Sequence, residues 1–464
     1  MTVNDVKPQD LVEQALSMSR ADGCIVIADE ITSANLRWAN NTLTSNGISR
    51  AGALTVIAIV EGATGIVAQE GVTLDSLEDV VRAAETAASG SGKAEDRMPL
   101  AAADTVLSPG DWDAPPAETS IGVFADTAKA LGHQFGRSEA EGELLFGFAS
   151  HEVRTSYLAS STGLRARHDQ PTGYVEMNAK SKDFARSAWA GVPSEDFTDV
   201  DILAISAGLS QRLDWAKRQL ELPAGRYATI LPPTAVADLM ISMYWSLGAR
   251  DAHDGRTVFS RPGGGTRVGD RLSDKPITLR SDPSAPSLMC SPVVFAHSSS
   301  AAQSVFDNGL PIHPTRWIAD GNLQSLIQTR HSASLTGLPV TPYVDNLIMD
   351  GTTDGDDLRG MTEASSGRTL LLTCLWYIRT VDPQTLLLTG LTRDGVYLVE
   401  DGEVVGAVNN FRFNESPVDL LARVSSVGLS ERTLPREWSD YFTRTAMPPL
   451  LVEDFNMSSV SQAS

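Results

Sequence analysis

Val396-Tyr-Leu-Val-Glu-Asp-Gly-Glu-Val404 is the stretch from which the fold is read. Asp401-Gly402 supplies the two positive-φ positions that a type I′ turn demands. Its flanks, Tyr397-Leu398-Val399 and Val404-Val405, are aromatic and β-branched, so the segment predicts a tight antiparallel hairpin. Leu370 to Ile378 and Thr385 to Leu391, just upstream, read as further strands. Leu222-Pro-Ala-Gly225 breaks the pattern, and beyond it the chain reads as strand-dominated apart from one helical segment, Thr234 to Leu247.

Before that break, a helix from Asp201 to Gln219 closes a run from Glu143 to Ala190 that alternates as an antiparallel meander does, for example Tyr174-Val-Glu-Met-Asn-Ala179. Nearer the N-terminus, Asp10 to Met18 has helical spacing and Ile25 to Ala28 reads as a short strand. Asn46-Gly47 signals a turn before the β-branched run Ala53 to Val60, and Leu74 to Ala88 is again helical. The class is α+β in two parts. Residues 1–222 form an N-terminal α+β domain with an internal linker at 89–116, where Gly, Ser and Pro cluster. Residues 223–456 form a β-rich C-terminal domain, and 457–464 a small polar tail that is expected to fray.

Of the 464 residues, 37 are Lys or Arg and 58 Asp or Glu, a formal charge of −21. Neutralising phosphates requires a concentrated basic surface, and no such cluster occurs, so nucleic acid is not an expected partner. Cys24, Cys290 and Cys374 are odd in number and far apart, which suits a reducing compartment. Met1 to Arg20 lacks the apolar core of a signal peptide, and the longest apolar runs reach about half of the ~20 residues that span a bilayer. A cytoplasmic protein outside the membrane is expected.

Tests for self-contained chemistry give little. His151-Glu152 has no second His within two helical turns and lies in strand-like sequence. Asp350-Gly-Thr-Thr-Asp-Gly-Asp-Asp357 begins like a calcium loop, but Thr352 stands at its third position and Met361 at its twelfth, so it reads as a solvated acidic turn. Neither Gly263-Gly-Gly265 nor Ser89-Gly-Ser-Gly-Lys93 has the spacing of a phosphate-binding loop. Cys374 sits in an apolar run, where a thiol is usually inert. Functional residue types are densest around His313 and His331, with Asp307, Asn308, Arg316, Trp317 and Arg330.

An ordered series of segments resembles the PmbA/TldD family: Ser156-Tyr-Leu-Ala-Ser-Ser-Thr-Gly-Leu164, Leu222-Pro-Ala-Gly-Arg-Tyr227, Val305-Phe-Asp-Asn-Gly-Leu-Pro311, Trp317-Ile-Ala-Asp-Gly-Asn-Leu323 and the hairpin at Val396. The resemblance runs from about Ala21 to Val427. It implies an intracellular peptidase system of two related subunits, of which one carries a metal on a His-Glu-x-x-x-His helix completed by a Cys near the C-terminal end. Aligned on Ala235-Val236, this chain has Pro233 and Thr234 in place of His and Glu, and Asp238 in place of the second His. No Cys follows Val408. Pro233 has no ligand atom on its side chain and Thr234 cannot replace a carboxylate base.

The resemblance is therefore to the metal-lacking PmbA (TldE) type of subunit. It implies no cofactor in this chain, a zinc-type divalent metal in a TldD-like partner, and unfolded peptides as substrate. The chain would help to enclose the peptide cleft, where an extended peptide can add to sheet edges. The alternative is a stand-alone homodimeric peptide-binding protein, or an enzyme retooled for a small molecule, with Asp307, Arg316, Arg330 and His331 lining a polar pocket. A third reading, modulation of topoisomerase or toxin systems, follows from the family's older name; there an acidic surface could mimic DNA.

Overall fold

The computed structural model describes residues 6–106 and 110–461. Its N-terminal part is a six-stranded antiparallel sheet of β1 (Gly23–Ala39), β2 (Thr42–Val60), β3 (Ala63–Glu70), β4 (Glu143–Ser160), β5 (Arg165–Ser181) and β6 (Ser187–Pro193), in the order β3-β2-β1-β4-β5-β6. The meander read at 143–190 is β4-β5-β6.

The strand expected to end at Ala28 runs on to Ala39, and Asn46-Gly47 is not a turn. Both residues lie inside β2, paired with Leu36 and Asn35. The chain turns instead at Asn40-Asn41, with φ of +49° and +57°. Asn is among the few residues whose short polar side chain tolerates the left-handed region, so two dipeptides in one neighbourhood could each make the hairpin. The burial of Trp38, in β1 just before the turn, fixes which one does.

Side-chain alternation in β1 sets the layers. Cys24, Val26 and Ala28 pack under α1 (Pro8–Met18) and α2 (Leu74–Ser89), and Ala34, Leu36 and Trp38 pack under α3 (Ala125–Glu141) and α4 (Ile202–Trp215). Even-numbered positions share one face of a strand, so all four helices cover the same face. Ile25 and Ile27 point to the other face and meet Val293, Val305 and Phe306 from the C-terminal half. In the stretch read as a linker at 89–116, residues 110–116 form a strap along this sheet: the Tyr157 hydroxyl donates to the Ala114 carbonyl and Arg167 to that of Pro115.

In the C-terminal part, β8 (Gly225–Leu231), β13 (Arg368–Asp382), β14 (Leu387–Glu400), β16 (Phe411–Glu415) and β20 (Leu450–Val460) close a ring, β13-β8-β20-β16-β14-β13. A closed ring removes the free edges of long apolar strands. The Asp401-Gly402 hairpin, at φ of +49° and +86°, joins β14 to β15 (Glu403–Val408), which pairs in turn with β7 (Gln219–Leu220). A Cβ on Gly402 would lie 2.3 Å from the Glu363 carbonyl oxygen, so glycine is required there for space as well as φ. A smaller sheet, β11-β10-β9-β12-β19-β18, comprises β9 (Leu279–Ser281), β10 (Thr315–Ala319), β11 (Asn322–Leu323), β12 (Leu347–Met349), β18 (Glu431–Thr433) and β19 (Thr445–Met447). β17 (Val424–Val427) pairs with β20.

Helix α5 (Pro233–Tyr244) lies in the core of this half. More helix is present than the sequence suggested: the 17-residue α3, and the shorter α6 (Ala249–His253), α7 (Arg330–Thr336), α8 (Leu358–Ala364) and α9 (Pro417–Leu421). The last four are too short to show a helical period. The tail expected to fray from Met457 is strand as far as Val460, because Met457 is fully buried and pairs with Gly225 and Phe413; residues 462–464 lie outside the described residues.

Candidate functional site

Pro232 and Pro233 end β8 and start α5, since proline at N1 lacks only an N–H that the first turn leaves unpaired anyway. The helix is apolar around its circumference and every residue but Thr234 is buried. Opposite it runs the segment Leu434 to Trp438. The Thr234 hydroxyl donates to the Leu434 carbonyl at 2.7 Å. Asp238 is fully buried, and its two carboxylate oxygens accept the backbone N–H groups of Glu437 at 3.0 Å and Arg436 at 3.2 Å. Burial pushes the Asp238 carboxyl well above the usual carboxylate range, against the opposing pull of those two N–H donors.

The side chains of the same segment extend the arrangement. Arg436 stacks on Trp376 at 4.0 Å and on Trp189 at 5.0 Å, and approaches Glu176 at 3.4 Å. Glu437 accepts the backbone N–H groups of Tyr377 and Ile378, where β13 bulges and Tyr377 takes φ +52°. One short stretch thus ties α5, the barrel and the N-terminal sheet together.

The positions that the resemblance aligns with His, Glu and His do not fit a metal. Pro233 offers no donor atom, Thr234 is engaged with a carbonyl, and both Asp238 oxygens accept backbone N–H groups. Among the described residues, no group of three or more His, Cys, Asp or Glu is placed to hold a metal ion. Cys374 is fully buried and its thiol is pushed well above its ordinary value by that burial.

Of the four residues proposed for a polar pocket, the structure brings three together. Asp307, on a 3-10 turn (Val305–Asp307), is buried and bonds Arg330 twice: its Oδ1 accepts from Nε at 2.7 Å and its Oδ2 from the backbone N–H at 3.1 Å. Arg330 also donates to the Phe306 carbonyl. His331 Nε2 accepts from Arg250 at 3.0 Å, because a guanidinium can only donate. Two cavities adjoin here and share Thr329. One, of about 260 Å³, is mainly apolar with Val293, Ile312 and Tyr343 beside Asp307; the other, of about 280 Å³, has Glu95, Arg250, Arg256 and His331 in its wall. Arg316 is exposed on β10, opposite Arg280, and neither it nor Arg330 lines either cavity.

Sequence reasoning missed a buried carboxylate relay. Asp29 accepts from His297 at 2.7 Å and from the Ser156 hydroxyl. The hydroxyl bonds the carboxylate and not the imidazole, so the order needed for a base-activated nucleophile is absent. Asp29 and His297 stand 268 residues apart, and no local pattern announces the pair. His151 is satisfied on both nitrogens, by Thr119 and the Glu195 carbonyl. In the acidic stretch, Asp350 binds Arg280 and Asp357 caps α8.

A model of the PmbA/TldA metallopeptidase C-terminal domain matches residues 224–459, and one of PmbA/TldA metallopeptidase domain 1 matches residues 24–88. The chain belongs to the PmbA/TldD family. Its family fold recurs in TldE from Thermococcus kodakarensis, with 16% identity and a TM-score of 0.77 over 97% of this chain and 99% of that one. Two candidate modulators of DNA gyrase share it over the same fractions: one from Bacteroides thetaiotaomicron (14%, TM-score 0.76) and one from Thermotoga maritima (15%, 0.74). No curated protein matches the chain. Among the described residues, no helix is long and apolar enough to cross a membrane.

Proposed function

We propose that this chain is the non-catalytic subunit of a TldD/TldE-like heteromeric metallopeptidase that degrades or processes unfolded peptides in the cytoplasm. It helps to enclose the peptide cleft, and a TldD-like partner carries the zinc-type metal. The observation that carries this reading is Asp238. At the position of a metal-ligating His in the other kind of subunit, a buried carboxylate fastens the Arg436-Glu437 backbone to α5. Carboxylates make structural clamps of this sort when main-chain N–H groups satisfy both oxygens. Membership of the family and the TldE-like fold support the same assignment.

The test is reconstitution. The purified chain is mixed with a metal-bearing relative from the same source, and hydrolysis of an unfolded peptide is followed together with the stoichiometry of the complex. An equimolar complex more active than the relative alone is expected; equal activity with and without this chain sinks the assignment. The stand-alone reading draws on the paired cavities at Thr329, where Asp307 and His331 stand on opposite sides. Arg330→Ala and His331→Ala variants that still bind ligand normally would remove it.

A further inference from the structure

A cavity larger than either of the two that share Thr329 lies elsewhere. A polar groove of about 580 Å³ runs between the β5-β6 turn of the N-terminal sheet and strands β14, β15 and β7. Three cations line it, Lys180, Arg186 and Arg393, together with two carboxylates, Glu221 and Asp394. In a chain of net charge −21, many Arg side chains lie against a carboxylate. The three cations here differ. Among the described residues Lys180 makes no ion pair; its ammonium sits over the rings of Phe146 at 5.7 Å and Phe184 at 5.9 Å. Arg186 donates to the Leu213 carbonyl and likewise makes no ion pair. Arg393 stacks on Trp376 at 5.7 Å and comes no nearer than 3.8 Å to Asp394, whose other oxygen accepts from the Ser187 hydroxyl.

The backbone at the floor of the groove is shaped as well. Where Arg393 pairs with Cys374 and Val396 with Leu372, two residues of β14 oppose one of β13, a bulge formed by Asp394 at φ +55° and Gly395 at φ +119°. Bulges re-aim neighbouring side chains, and here Arg393 joins the groove wall. β7, the end strand of its sheet, lines the groove too, so main-chain groups are available to an extended ligand.

We propose that this groove binds the carboxylates of an extended acidic peptide. The proposal rests on the reading of the chain as a peptide-handling subunit and adds a substrate preference to it. Cations recognise carboxylates by charge-assisted hydrogen bonds, and their origin in three separate places, β5, the β5-β6 turn and β14, favours several carboxylates on one chain over a compact anion.

The experiment is fluorescence anisotropy of labelled hexaglutamate with the purified full chain at about 0.15 M salt, where long-range charge is screened. The probes are hexaglutamate, hexaserine and free glutarate, and the variants are Lys180→Gln/Arg393→Gln and, as a second construction, Arg186→Gln. Hexaglutamate is expected to bind, to lose at least about tenfold in affinity in the double variant, and to resist displacement by hexaserine or glutarate. Unaltered binding by variants that keep the wild-type melting temperature overturns the proposal, as does absence of binding by the wild type. Displacement by glutarate as effective as by peptide assigns the groove to small dicarboxylates and overturns the peptide version. Because the isolated chain is measured, failure here leaves activation of a metal-bearing partner standing, and failure of reconstitution leaves this binding result standing.

Discussion

Asp238 accepts the backbone N–H of Glu437 at 3.0 Å across 199 residues of sequence, and the N–H of Arg436 on its other oxygen. An amide in its place offers one acceptor, so Asp238→Asn leaves a buried N–H unpaired and is expected to cost about 1–3 kcal/mol in urea denaturation. Asp238→His, the residue that the resemblance aligns here, must also fit an imidazole into a fully buried site and is expected to cost at least as much. Metal content measured on the purified variant should not rise, since Pro233 and Thr234 still supply no ligand pair.

Arg436 joins two halves of the molecule through its planar guanidinium, between Trp189 of β6 and Trp376 of β13. Lysine keeps the charge and loses the plane, so Arg436→Lys should destabilise by roughly 1–2 kcal/mol. Arg436→Ala should cost about 3 kcal/mol, because Glu176 is left largely buried without its cation. Thermal melts that show no difference between the two variants would argue against the stacking.

The Asp307–Arg330 pair holds the turn before Asn308 against the start of α7. Arg330→Ala strands the buried Asp307 and is expected to lose about 3 kcal/mol, and Asp307→Ala, which leaves the partly exposed Arg330, less. The double variant should lose less than the sum of the two, with a coupling on the order of 1–3 kcal/mol. Additive losses in denaturant titrations would show that the two side chains act separately.

Acid should weaken the tie between β1 and the 293–310 segment. Burial acts to raise the Asp29 carboxyl, but the hydrogen bond and charge of His297 and the Ser156 hydroxyl outweigh it, and the group sits below its ordinary value of 3.8. A carboxyl depressed in the folded state contributes stability that is present above that ordinary value and lost as pH falls through the folded one. Asp29→Asn should therefore be less stable than the wild type at neutral pH, with the gap narrowing below about pH 4. Melting temperatures measured between pH 3 and 7 check this; a gap that stays constant with pH would count against it.

Local chemistry was legible in several places. The Asp401-Gly402 hairpin, the β4-β5-β6 meander, α1 and α2 all follow from turn residues and side-chain period, signals that act within a few residues. Asn46-Gly47 misled because Asn40-Asn41 supplies the same backbone freedom nearby, and only the register of a long strand with one buried face separates them. The short helices α6 to α9 lack the length for a period to appear.

For function, the sequence by itself determined what this chain lacks at one place: Pro233 and Thr234 cannot replace His and Glu, whatever the fold around them. It also determined family membership, through motifs spread along the chain. Only the tertiary structure decided what Asp238 does, that Arg316 stands apart from Asp307, Arg330 and His331, and that Lys180, Arg186 and Arg393 share one groove. Those relationships join residues up to about two hundred positions apart. Their partners are chosen by the packing of sheet on barrel and by the need to satisfy buried polar groups, and neither leaves a trace in local residue spacing.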